Sequence, residues 1–131
     1  MKKELEPMSK FKNVNDVIWK AEIKNDSITG MLVGIKPFVP PKGMKKRGDV
    51  NQYTILDTND VQYSMIGGTV LDKLVGEESE KTLGRVIAPG DVVRFIFQGM
   101  RISKNNDEYK SWAVQMIPSE ELSDNWKDDV A

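Results

Sequence analysis

MIGGTVLDKL (Met65–Leu74) is the stretch in which an alternating pattern gives way to a helical one, and the fold turns on it. Just before and into it, Val61, Tyr63 and Met65 alternate with Gln62 and Ser64, the two-residue period of a half-exposed strand. Gly67-Gly68 lacks the surrounding Walker pattern, so it reads as a strand-to-helix turn and not as a phosphate cradle. Thr69 is expected to cap a helix, with Asp72 as its capping-box partner and Gly76 as its stop. Val70, Leu71, Leu74 and Val75 form one apolar face. A helix this short does not stand alone, so it must plug something.

Upstream, Asn51–Asp57 and Val61–Gly67 are joined by the turn-forming Thr58-Asn59-Asp60 and read as a hairpin. Before them Ile28–Ile35 is an apolar run in which Gly30 and Gly34 permit strong bending. Downstream, Glu77–Lys81 reads as a charged loop and Pro89-Gly90 as a turn. Asp91–Met100 is the clearest strand, with Val93, Phe95 and Phe97 facing one way and Arg94 and Gln98 the other. A polar loop, Ser103–Glu108, leads to Tyr109–Ile117, where Trp112, Val114 and Met116 share a face. The chain is therefore expected to be all-β: a five-stranded OB-fold barrel with one short helix between strands 3 and 4, where a barrel end needs a plug. Residues 1–26 are set apart as an N-terminal extension with a short ordered piece at Val14–Ile23, residues 27–117 as the barrel, and residues 118–131 as an acidic flexible tail.

Composition removes several chemistries. With no cysteine and no histidine, Ser-His and Cys-His nucleophile pairs are impossible, and a zinc site would need carboxylates alone. The twenty acids are scattered without ligand spacing, so neither an enzyme nor a metal or cofactor is expected. No apolar run approaches the roughly 20 residues of a membrane span, and no hydrophobic segment follows the charged N-terminus, so neither a membrane partner nor a secretory signal is expected. The lack of cysteine fits a reducing compartment.

The formal net charge is only −1, yet residues 27–48 carry Lys36, Lys42, Lys45, Lys46 and Arg47 with no acid among them. Most of that charge lies in PFVPPKGMKKRG (Pro37–Gly48), a loop between two strand-like runs. Cations on such a loop suit phosphates, because each contact releases condensed counterions. On an OB frame the ligand crosses strands 2 and 3 between the first and last hairpin loops. That places Tyr53 and Tyr63 under the ligand, Lys36 and Phe38 at the opening of the basic loop, and Arg101, Lys104 and Lys110 around the other loop. Single-strand binding needs such rings for bases and such cations for phosphates. Each ring has a plainer reading: Tyr53 is either a stacking platform or a core ring, and Tyr63, between apolar alternation partners, leans to the core. Phe95, Phe97 and Trp112 follow the strand period and are core. Trp19 could stack on DNA, pack on the barrel, or sit in a contact between copies.

YTILD (Tyr53–Asp57), the MIGG turn into TVLDKL, GDVVRFIFQG (Gly90–Gly99) and SKNNDEYK (Ser103–Lys110), in that order and spacing, resemble the small single-stranded DNA-binding proteins of bacteriophages of Gram-positive hosts, lactococcal phages in particular. The likeness covers roughly residues 27–117. It implies coating of single-stranded DNA during phage replication and recombination, in the cytoplasm of the bacterial host. The tail is acidic, as in bacterial single-strand binders, but ends Asp-Asp-Val-Ala without their terminal Pro-Phe. Replication or recombination proteins are the partners such a tail implies.

The competing readings are an OB-fold adaptor of a replisome or virion, in which the basic loop only solubilises, and an RNA-binding OB module. A single small domain gains affinity by linking sites, so a homodimer is expected, with no interface assigned. The tail carries Glu120, Glu121, Asp124, Asp128 and Asp129 against Lys127, and is expected to be an arm with little structure of its own that competes for the basic loop.

Overall fold

Leu71, Val75 and Ser79 recur at four-residue spacing, and all three are buried, so one stripe of a helix faces the core across Gly76. In the computed structural model, which describes residues 17–39 and 50–130, this stripe draws the helix well past its expected end. An α-helical turn, α1 (Thr69–Lys73), runs into a π-helical turn (Leu74–Glu78) and then α2 (Ser79–Leu83). Glu77–Lys81 is thus helix and not loop, with Lys81 paired to Glu77 and Glu78 along its exposed side. Gly84, at φ 88°, ends the rod.

The strands are β1 (Val17–Ile18), β2 (Ser27–Pro37), β3 (Asn51–Leu56), β4 (Gln62–Ile66), β5 (Val92–Ile102) and β6 (Glu108–Ile117). They form one six-stranded sheet in the order β1-β4-β3-β2-β5-β6. β2 is shared: its first half pairs with β5 and its second with β3, the hand-over falling at Met31, and Val33 is the extra residue of a bulge. Within β5–β6, Val93, Phe95 and Phe97 lie opposite Met116, Val114 and Trp112, as the alternation predicts.

Two expectations need correction. The sheet is open and is not a closed five-stranded barrel, because β4 and β6 do not pair; β1 takes the β4 edge instead, in parallel register, and the Trp19 amide adds a bond to Ser64. With β1 counted, the helix follows β4 and precedes β5, not lying between β3 and β4. Side chains bridge the two ends of the sheet: the Trp19 ring lies 6.3 Å from that of Trp112, which lies 5.5 Å from Phe97. Trp19 packs on the body, partly buried against the core, as one of its three readings had it. Residues 17–26, set apart as an extension, thus contribute a strand, the buried Ala21, and two backbone bonds between Asn25–Asp26 and Phe97.

The acidic segment also has structure of its own. It forms a 3-10 turn (Ser119–Glu121) and a helical turn, α3 (Trp126–Asp129). The Ser119 amide donates to Asp91, Arg85 pairs with Glu120, and Lys127 reaches Asp60 in the β3–β4 turn at 2.7 Å. One of its acids, Glu120, and its base, Lys127, therefore meet opposite charges on the folded body.

Candidate nucleic-acid interface

A tyrosine on a strand shows one face, and Tyr53 shows the inner one. It is completely buried, its ring edge-on to Phe95 at 5.6 Å. Its hydroxyl donates to Asp72 Oδ1 at 2.5 Å, while Asp72 Oδ2 accepts the Asn51 amide at 3.0 Å. Burial, and then the Asp72 carboxylate, push the Tyr53 hydroxyl well up, so it stays protonated as a donor. Asp72 therefore ties α1 to β3 and closes no capping box; Gly68 takes the N-cap position, with no side-chain cap there. Gly67 is required nearby, since a Cβ would collide with Asp72 and lie 2.7 Å from the Tyr53 ring. Tyr53 cannot serve as a stacking platform. Tyr63, opposite Ile55, is half-buried against the same core.

The other face of β2–β3–β4 carries Lys36, Gln52, Thr54 and Ser64, with Gln52 donating to Ser64 Oγ at 2.5 Å. It presents no ring. Phe38 is half-buried just past β2, its amide bonded to Val50 across the mouth of the basic loop. Lys42, Lys45, Lys46 and Arg47 lie outside the described residues.

The remaining expected residues converge on the β5–β6 hairpin. Two β5 residues, Gln98 and Gly99, oppose Ser111 alone, and this bulge sets off an arm in which Met100, Arg101 and Ile102 pair with Lys110, Tyr109 and Glu108. Arg101, Lys104 and Lys110 are all exposed on it. Directly paired residues share a face, so Lys110 and Met100 point one way while Arg101 and Tyr109 point the other. On the Lys110 side a groove of about 490 Å³ opens between the arm and residues 20–24. Lys20, Lys24 and Lys110 line it against one acid, Glu22, and Phe97 and Met100 supply apolar wall. The Asp26 carboxylate fixes the turn that carries Lys24 by accepting the Glu22 and Ile23 amides at 2.8 and 3.0 Å. The Ile23 amide, then that of Glu22, hold the Asp26 carboxyl below its ordinary value, so the turn is secured by an ionised acid.

Sequence reasoning missed Lys20, Lys24 and Tyr109. Lys24 sits in, and Lys20 just before, a turn too short to pattern, beside Trp19, whose packing brings them to the arm. Tyr109 lies next to a polar loop and has no apolar alternation partner, which is itself the signature of a ring left in solvent; it is 36% exposed.

The arrangement offers cations on both faces of a projecting hairpin, a ring beside Arg101 on one of them, and an apolar-walled groove on the other. Among the described residues, no group of three or more acids could hold a metal ion, and no helix is long and apolar enough to cross a membrane. Searches against family models, curated proteins and solved structures found no match to this chain.

Proposed function

We propose that the chain binds single-stranded DNA largely without regard to sequence, through the β5–β6 arm and the groove beside it. The observation that carries this reading is the convergence of Lys20, Lys24 and Lys110 on one groove, with Arg101, Lys104 and the exposed Tyr109 on the same arm. A strand track needs cations spaced for phosphates and a ring face for a base. The narrow arm suits the flexible backbone of a single strand. The pairings β2–β3, β3–β4, β2–β5 and β5–β6 support reading the sheet as an OB-fold left open at its seam, a fold that is itself a partly open Greek-key barrel. With the resemblance of its motifs, the role is that of a coat on phage single-stranded DNA during replication and recombination.

A mobility-shift titration with single-stranded and duplex DNA of equal length tests this. The expected result is a shift of the single strand at concentrations that leave the duplex free. Equal retention of both, or of neither, contradicts it, and competition between oligo-dT and oligo-rU separates DNA from RNA preference.

A further inference from the structure

β6 is an edge strand: it bonds β5 on one side and, among the described residues, no strand on the other. The bulge in the arm belongs to β5, so the β6 edge is regular through Glu108, Tyr109 and Lys110. At the turn the Ser103 amide donates to Asp107. Bonded and non-bonded pairs alternate from there, so Arg101–Tyr109 is the next bonded pair, and the backbone groups of Glu108 and Lys110 point away from β5. The open edge therefore presents one acid and one base, placed symmetrically about Tyr109.

We propose that two copies of this chain pair antiparallel along this edge, with the two-fold axis at Tyr109. In that register Glu108 lies opposite the partner's Lys110, and Lys110 opposite the partner's Glu108. Both residues turn their backbone groups outward, so the same register makes each couple a hydrogen-bonded pair. Charges on an edge strand commonly keep edges apart. A run of one sign does that, whereas opposite signs about a symmetry axis match. Met100 and Ile102, 53% and 67% exposed, stand opposite Lys110 and Glu108 on the same face and flank both ion pairs with apolar surface. The contact is short, below the roughly 1,000 Å² of a stable interface, so the dimer is of the weak, concentration-dependent class. On the other face the two Tyr109 rings become neighbours, each beside its own Arg101. That consequence rests on the proposed function; the pairing does not.

Sedimentation equilibrium over a concentration series, without DNA, tests the pairing. Wild type is expected to self-associate. E108K and K110E each place like charges at both couples, and should weaken the dimer on the order of tenfold. The double variant E108K/K110E should recover it, and a mixture of the two single variants should form heterodimers. Both side chains are exposed, and circular dichroism checks that the variants stay folded. A wild type monomeric throughout, single variants that associate like wild type, or a mixture no better than its components would overturn the proposal.

Discussion

The Tyr53 hydroxyl donates to Asp72 across 2.5 Å and joins the middle of β3 to the first turn of the helix. The same carboxylate holds the Asn51 amide, at the point where the chain enters β3. Tyr53→Phe removes one donor and should cost about 1–2 kcal/mol; Asp72→Ala strands two donors and should cost about 2–4 kcal/mol. Urea denaturation reads both. Single-strand affinity per folded molecule is expected to stay at the wild-type value in each, since neither group faces the groove.

Tyr109→Ala is expected to do the reverse. Its ring is exposed and lies outside the buried core, so the melting temperature should hold while single-strand binding falls by about 1–3 kcal/mol. A loss of stability with unchanged binding would return Tyr109 to a structural role. Fluorescence anisotropy at protein concentrations too dilute for dimers keeps this measurement separate from self-association.

Why the β5 rings were legible and Tyr53 was not follows from the strand period. Val93, Phe95 and Phe97 against Arg94 fix both the strand and its inner face, because one side is charged. Tyr53 and Ile55 share their face with the polar Asn51 and Asp57, and Leu56 shares the other with Gln52 and Thr54, a mix that gives the period but not which side meets the core. The helix was misjudged at Gly76 for a related reason: beyond it the buried stripe continues through Ser79 alone, while Glu77, Glu78, Glu80 and Lys81 read as loop. The seam was illegible because β1 is two residues long, and its place is set by Trp19 meeting Trp112, a contact with no local signature.

Asp91 predicts how the fold meets acid. It is buried and accepts from Arg85 at 2.6 and 3.0 Å, from the Ala88 amide at 2.9 Å and from the Ser119 amide at 2.8 Å. Burial alone would raise its carboxyl; Arg85, then the Ala88 and Ser119 amides, outweigh this and hold it below the ordinary value. A folded pKa below the unfolded one stabilises fully above the ordinary aspartate value of about 3.9 and loses that contribution as pH falls through the lower folded value. Asp91→Asn should destabilise by about 2–4 kcal/mol at neutral pH. Urea midpoints between neutral pH and pH ~3 should also fall less steeply in the variant than in wild type.

Truncation after Pro118 removes the Ser119 bond to Asp91 and the pairs Arg85–Glu120 and Lys127–Asp60. The pairs are exposed and worth little, while the amide bond to a buried carboxylate is worth more. The truncated chain should fold and lose about 1–3 kcal/mol by chemical denaturation. Unchanged stability would mean that the segment contributes nothing to the body it touches.

The central claim is that the arm and its groove hold the phosphates of a single strand. Anisotropy titrations of labelled oligo-dT at several salt concentrations test it, comparing wild type with the triple variant Lys20→Ala, Lys24→Ala, Arg101→Ala. The expected result is salt-sensitive binding in wild type and a log–log salt slope shallower by roughly 0.7 for each phosphate contact removed. A folded triple variant with wild-type affinity and slope would contradict the account.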